Sequence, residues 1–136
     1  MNRILLDTSG YSGFMRGHSG IRDIIQSADE IVLNPIVLGE LLSGFLKGKL
    51  RAKNEKELSE FLASPRVKVI QIDDETSKRY AVILQRLWEK GTPIPTNDLW
   101  IASSAMQHGF TILTMDRHFL RIHEVLVECF GIDGHS

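Results

Sequence analysis

Short apolar runs alternate along this chain with longer segments of helical periodicity, and this alternation constrains the fold more than any other feature. The runs that predict β-strands lie at residues 3–6, 30–34, 67–72, 110–116 and 124–130. Strands that are separated by helices are joined by crossover connections, which produce a mainly parallel sheet with helices on both faces. The expected fold is therefore α/β, a three-layer α/β/α sandwich with a mainly parallel central sheet.

The helical segments carry recognisable start and stop signals. Pro35 suits the first turn of one helix, Thr96 or Asn97 can cap another, and Gly109 suits the end of that helix. The residues that follow the first strand, 8–10, are interpreted as a turn. The predicted helices cover residues 20–28, 35–50, 53–63, 73–91 and 98–109.

Length and composition narrow the class of protein. The 136 residues indicate one domain, 1–136, and the 43% hydrophobic and 24% charged residues are typical of a globular protein. No apolar stretch approaches the roughly 18–20 residues that span a bilayer, and the first apolar run breaks at Asp7, unlike a secretory signal. The single cysteine, Cys129, suits a reducing cytoplasm. We therefore expect a cytoplasmic protein without membrane contact.

The net charge of −1, from 16 basic and 17 acidic residues, counts against strong non-specific binding of nucleic acid by bulk electrostatics. It is compatible with an enzyme whose acidic pocket lies beside a local basic patch.

Two acidic residues follow apolar strands directly. Asp7 ends the first run, and Asp116 ends the run 110–116, two residues after Thr114. Ligands of open α/β sheets bind beyond the carboxyl ends of the strands, so both acids are expected at one edge of the sheet. Considered alone, each acid also fits a simple turn.

Two further acids interrupt apolar helices. Glu40 lies within "IVLGELLSG", and Asp98 precedes Leu99 and Trp100 at the start of a helix. A solvent-facing position would explain Glu40, and the helix dipole would explain Asp98. Four carboxylates that met at one edge would repel one another, and a divalent cation would relieve that repulsion. Oxygen ligands without a matching cysteine or histidine cluster favour Mg²⁺, with Mn²⁺ as the alternative.

Four segments together resemble the PIN-domain nucleases, and most closely the VapC-type toxins of toxin–antitoxin pairs. They are "ILLDTSG", "NPIVLGELLSG", "IPTNDLWIASSAMQHGFTILTMDRHF" and the closing "VLVECF". The resemblance covers nearly the whole chain and includes the order and spacing of all four acids. It implies a Mg²⁺-dependent endoribonuclease toxin that forms a homodimer and is neutralised by a cognate antitoxin protein.

The resemblance also implies roles for individual residues. The catalytic and metal-binding residues would be Asp7, Glu40, Asp98 and Asp116. The supporting residues would be Thr8, Ser9 and Thr114.

The chain departs from the family pattern at two positions. His118 precedes Phe119 where many relatives carry an acid, and Ser9 stands where relatives often have asparagine. Arg16 is a candidate for binding substrate phosphate or an antitoxin carboxylate, and a solvated surface position is the alternative. Arg117 is the second candidate for binding substrate: it adjoins Asp116, as does His118, and either of the two could touch the scissile region.

Two other hypotheses remain open. The chain could be a catalytically inert or non-toxin PIN domain that binds RNA or a partner protein. It could also be a phosphate-transferring hydrolase that uses Asp7 as nucleophile, but Ser9 occupies the position where such enzymes usually carry a second aspartate.

Overall fold

A five-stranded sheet forms the centre of the molecule in the computed structural model, which describes residues 2–131. The strands run in the spatial order β3-β2-β1-β4-β5, and all four pairings are parallel. This arrangement confirms the predicted α/β fold with its parallel central sheet. The strands are β1 (Arg3–Leu6), β2 (Glu30–Leu33), β3 (Val67–Val69), β4 (Thr111–Thr114) and β5 (Val127–Cys129).

Six α-helices and one short 3₁₀ helix connect the strands. The α-helices are α1 (Thr8–Met15), α2 (Ser19–Ser27), α3 (Pro35–Lys47), α4 (Arg51–Leu62), α5 (Asp74–Lys90) and α6 (Thr96–His108). The 3₁₀ helix, Arg117–Arg121, lies between β4 and β5. Within residues 2–131, no helix combines the length and apolar character that a membrane crossing requires.

The central strands are apolar on both faces. Leu5, Leu33 and Leu113 are fully buried, as expected for a parallel sheet that helices cover on each side. Burying one such side chain contributes roughly 1.5–3 kcal/mol to folding. The sheet interior therefore supplies much of the stability that holds the strand ends in place.

The direction of the connections changes next to β1. The chain moves from β1 to β2 and on to β3, and then returns past β1 to form β4. Since crossovers are right-handed, α1 to α4 lie on one face of the sheet, and α5 and α6 lie on the other. The crevice beyond the carboxyl ends of β1 and β4 is the switch point, where such sheets bind ligands.

One helix was absent from the sequence interpretation. Residues 8–10 do not form a simple turn, because they open α1. The segment TSGYSGFM contains two glycines and lacks a clear apolar period, so its pattern gives little helical signal. The side chain of Asp7 caps this helix by accepting a hydrogen bond from the backbone N–H of Gly10, 2.7 Å away.

Several predicted boundaries were wrong. The helix predicted over 35–50 ends at Lys47, and α4 begins at Arg51 rather than at 53. Strands β3 and β5 are shorter than predicted, since each keeps only three paired residues. Neither Thr96 nor Asn97 caps α6, because the helix already begins at Thr96 and Pro95 precedes it without a side-chain cap.

Candidate active site

Asp7 lies at the end of β1 and is almost completely buried, with 3% of its surface exposed. Four hydrogen bonds compensate this burial. Its carboxylate accepts from the Gly10 N–H at 2.7 Å, from the Thr114 hydroxyl at 2.7 Å and from the Ser9 hydroxyl at 3.1 and 3.0 Å. Asp7 is therefore not a solvent-exposed turn residue, and hydrogen bonds from α1 and β4 fix its orientation.

Thr114 and Ser9 connect Asp7 to the segment that follows β4. The Thr114 hydroxyl accepts a hydrogen bond from the backbone N–H of Asp116 at 2.8 Å, and the Ser9 hydroxyl accepts from the N–H of Met115 at 2.9 Å. The two hydroxyls also lie 3.1 Å apart. The residues expected to support the acids thus form a bonded unit across the switch point.

Glu40 projects from α3 toward the same edge of the sheet. Its two carboxylate oxygens accept hydrogen bonds from different elements, one from the Thr8 hydroxyl at 2.5 Å and one from the Asn97 amide at 3.1 Å. Thr8 is the neighbour of Asp7 in the chain, and Asn97 is the neighbour of Asp98. Glu40 is therefore held beside both of these aspartates and does not simply face water.

Asp98, Asp116 and His118 form the tightest group of potential metal ligands in residues 2–131. One ligand atom from each of the three side chains lies within 4.8 Å of the others. Nδ1 of His118 is 3.4 Å from Oδ2 of Asp98 and 3.1 Å from Oδ1 of Asp116. The structure thus brings two of the predicted acids together with His118, the residue that stands where many relatives carry an acid.

The electrostatics of the site reflect burial first and the crowding of carboxylates second. The pKa of Asp7 is raised to about 7, mainly by burial; hydrogen bonds from Thr114, Gly10 and Ser9 oppose the rise, and the nearby charge of Asp116 adds to it. The pKa of Asp98 is raised to about 6, again mainly by burial, with repulsion from Asp116 and Glu40 adding to the rise and His118 opposing it. The charges of Asp116 and Glu40 therefore reach the two buried aspartates.

These residues fit a divalent cation. Carboxylate oxygens are hard ligands, and repulsion from neighbouring acids contributes, after burial, to the raised pKa values of Asp7 and Asp98. A cation close to Asp98 and Asp116 would offset that charge. The cluster can accordingly hold a divalent metal ion.

The surroundings of the cluster offer contacts for a larger ligand. Arg16 is exposed, and its guanidinium lies 3.6 Å from the sulfur of Met115, the residue before Asp116. Arg117 is exposed directly after Asp116. An open groove of about 520 Å³ adjoins Glu40 and Asn97, and the small residues of α3 and Lys47 line it.

Sequence reasoning missed two polar residues of the site region, and it considered His118 without predicting its contact with two acids. Asn97 orients Glu40. Asn34 is fully buried, where it caps α3 through the Val37 N–H and donates to the Ser104 hydroxyl of α6 at 3.0 Å. The Asn-Pro pair at the end of β2 was an available signal, since asparagine before proline is typical of a helix start.

Two relatives with VapC names share much of the sequence. The chain is 32% identical over 92 residues to ribonuclease VapC4 of Mycobacterium tuberculosis, an alignment that covers 68% of this chain and 71% of that protein. It is 31% identical over 107 residues to ribonuclease VapC2 of Rickettsia felis, with 78% of each chain covered.

Solved structures share the fold over almost the full length. The complex VapBC2 of Rickettsia felis, bound to a DNA fragment from its promoter, matches with a TM-score of 0.81 and 27% identity over 93% of this chain and 98% of that one. The DNA-bound VapBC of Salmonella typhimurium matches with a TM-score of 0.81 and 26% identity over 94% and 98%. The family model of the PIN domain matches residues 4–125. The chain therefore belongs to the PIN-domain family, and within it to the VapC group.

Proposed function

We propose that this protein is a divalent-metal-dependent endoribonuclease that acts as the toxin of a toxin–antitoxin pair. The observation that carries the proposal is the convergence of Asp7, Glu40, Asp98 and Asp116 on the switch point of the sheet. Its relatives named ribonuclease VapC support RNA as the substrate. Mg²⁺ is the proposed cofactor, and Mn²⁺ is the alternative.

The chemistry proposed is hydrolysis of a phosphodiester bond by an in-line attack of water. A divalent cation, when bound, would neutralise phosphate charge and lower the pKa of the attacking water. Asp98 and Asp116 would hold that cation. Asp7 would add its negative charge to the site, and its hydrogen bond from Thr114 would fix the segment that carries Asp116. Glu40, held by Thr8 and Asn97, is placed to accept a hydrogen bond from the attacking water.

Substrate contacts are proposed for the cations around the acidic cluster. Arg16 and Arg117 flank Asp116 and can pair with phosphates on either side of the scissile bond. The groove beside Glu40 gives a strand of RNA a path that ends near Lys47. Because the net charge is −1, binding depends on these local cations and not on the protein's overall field.

The proposed partners follow from the complexes to which the fold is similar. Structures of VapBC complexes match nearly the whole chain, which supports a protein antitoxin as the neutralising partner. A homodimer is the proposed assembly of the toxin itself. Size measurement by light scattering, alone and with a co-expressed antitoxin, tests both assemblies.

Cleavage of defined RNA with and without Mg²⁺ or Mn²⁺ tests the activity. Asp7→Asn and Asp98→Asn should each abolish cleavage and growth inhibition, because each removes a charge from the cluster, and circular dichroism should show that the fold persists. Asp23→Asn is the matched control, since Asp23 is an exposed aspartate on α2. Cleavage that survives in the Asp98 variant or in excess chelator would contradict the proposal. Absence of cleavage by the wild-type protein with Mg²⁺ and with Mn²⁺ would favour an inert PIN domain that binds RNA or protein.

A further inference from the structure

We propose that His118 is a metal ligand, and that its imidazole nitrogen makes the site prefer Mn²⁺ to Mg²⁺. This inference rests on the proposed metal-dependent function. It adds the residue that sets metal selectivity, and it makes Mn²⁺, the alternative cofactor, the preferred ion. His118 stands where the family pattern often places an acid, so the chain would replace an oxygen ligand by a nitrogen ligand and keep the position occupied.

The position of Nδ1 supports coordination. It lies 3.4 Å from Oδ2 of Asp98 and 3.1 Å from Oδ1 of Asp116. Two adjacent ligands of an octahedral ion, each about 2.1 Å from it, are about 3 Å apart. The His118 nitrogen is therefore spaced from each aspartate as one ligand of an ion is from its neighbours, and one ligand atom from each of the three side chains lies within 4.8 Å of the others.

The burial of Nδ1 supports the same conclusion. This atom is buried and makes no hydrogen bond, although 44% of the His118 side chain is exposed. A buried polar atom without a partner is costly unless something else satisfies it. Nδ1 faces the carboxylates of Asp98 and Asp116, and a cation between the three groups would take the lone pair of the ring nitrogen and neutralise both carboxylates.

The backbone fixes the histidine in this orientation. Oδ1 of Asp116 accepts a hydrogen bond from the backbone N–H of His118 at 2.9 Å, which begins the 3₁₀ helix. Phe119, the next residue, is fully buried and anchors that helix in the core. Hence His118 is held beside Asp116 before any ion binds, and little conformational entropy is lost on coordination.

The donor set determines the preferred metal. Mg²⁺ favours oxygen ligands, whereas imidazole nitrogen suits transition metals, and Mn²⁺ accepts a mixture of carboxylate and imidazole. Two carboxylates with one imidazole therefore shift the selectivity toward Mn²⁺. An aspartate at position 118 would provide oxygen ligands only and would shift it back toward Mg²⁺.

Pulsed electron paramagnetic resonance of bound Mn²⁺ tests the ligand directly. The wild-type protein should show coupling of the Mn²⁺ electron spin to one imidazole ¹⁴N, and His118→Ala should lose it. His123→Ala is the matched control and should keep it, because His123 is exposed and outside the cluster. Mn²⁺ bound to the wild type without nitrogen coupling, or coupling that persists in His118→Ala, would overturn the proposal.

Calorimetric titration tests the selectivity. His118→Ala should weaken Mn²⁺ binding by about tenfold or more, since even residues that only orient a ligand affect metal affinity by 10- to 100-fold. Mg²⁺ binding should change less, and His118→Asp should lower the ratio of the Mg²⁺ to the Mn²⁺ dissociation constant. An unchanged ratio in both variants would overturn the proposal.

The spectroscopic result separates this proposal from the enzymatic one. Nitrogen coupling in a protein that fails to cleave RNA would support the ligand role of His118 and contradict the ribonuclease function. RNA cleavage with bound Mn²⁺ that lacks nitrogen coupling would do the reverse. No Mn²⁺ binding at all would contradict the proposal for His118, whereas RNA cleavage that depends on Mg²⁺ would still support the ribonuclease function.

Discussion

The hydroxyl of Thr114 donates a 2.7 Å hydrogen bond to the carboxylate of Asp7 and accepts one of 2.8 Å from the backbone N–H of Asp116. One buried side-chain oxygen therefore joins the acid after β1 to the acid after β4. The distance between these two charges depends on that hydroxyl. Replacing this single group should change both the free energy of unfolding and the affinity for metal.

Replacement of Thr114 by valine should destabilise the protein. Valine has a similar shape but leaves the N–H of Asp116 without its partner and removes a donor from Asp7, a loss of about 1–3 kcal/mol. Urea denaturation would measure the free energy of unfolding, and calorimetry should show weaker metal binding. Thr114→Ser keeps the hydroxyl and loses only the methyl group, so it is the control; a loss in Thr114→Val no larger than the loss in Thr114→Ser would contradict the role of the hydroxyl.

Asp7→Asn should stabilise the metal-free protein at neutral pH. The pKa of Asp7 is raised to about 7 in the folded state from an ordinary value of 3.8. The contribution of Asp7 to the free energy of unfolding is therefore greatest below about pH 4, and it is lost as the pH rises to about 7. Asparagine does not ionise in this pH range, and the hydroxyls of Ser9 and Thr114 can accept hydrogen bonds from its side-chain amide.

The difference between the two proteins isolates this effect. With a chelator present, the advantage of Asp7→Asn in the free energy of unfolding should be small near pH 4 and grow to at most about 4 kcal/mol at pH 8. Urea denaturation at a series of pH values measures it. A difference that stays constant with pH would contradict the raised pKa.

Asn97→Ala should lower activity while changing stability little. The Asn97 amide holds one oxygen of Glu40, and the pair is accessible to solvent, so its loss mainly frees the carboxylate to rotate. We expect a decrease of about tenfold in kcat/KM, equivalent to about 1.4 kcal/mol. Gln85→Ala is a suitable control, because Gln85 makes the same amide-to-carboxylate bond to Glu89 on the exposed surface of α5.

Two glycine-to-alanine changes should have opposite effects. Gly10 lies in α1 so close to β4 that an added Cβ would collide with the backbone oxygen of Leu113. Gly10→Ala should therefore cost on the order of 1–3 kcal/mol, as overpacking does. Gly44 lies in α3 with open space around it, and Gly44→Ala should gain about 0.5–1 kcal/mol from helix propensity. Thermal denaturation compares them, and equal shifts would contradict the close approach at Gly10.

The strand ends were predictable because the sequence pattern there is strong. Asp7 and Asp116 each follow an uninterrupted apolar run, and parallel strands place such ends at one edge. Glu40 and Asp98 were found because a charge within an apolar helix is unusual. The relation of all four to one site also depended on the family resemblance, since the pattern alone left turn, helix-dipole and solvent-facing explanations open.

The parts that were missed depend on contacts between distant residues. Helix α1 forms because Asp7 caps it and because its glycines allow it to approach β4, and neither cause leaves a periodic signal. Asn97 and His118 gain their partners only through the packing of α6 and of the segment after β4. Local propensity cannot report such contacts, which explains why the hydrogen-bonding partners of the acids were harder to predict than the acids themselves.

The central pairing of β1 with β4 also means that the site can be completed only late in the synthesis of the described chain. Asp7 precedes its bonding partner Thr114 by more than one hundred residues, so a ribosome makes Asp7 long before Thr114. A chain interrupted before β4 lacks both Asp116 and the threonine that joins the two strand ends. An enzyme that attacks RNA would thus remain harmless to the message that encodes it until β4 and Asp116 have been made.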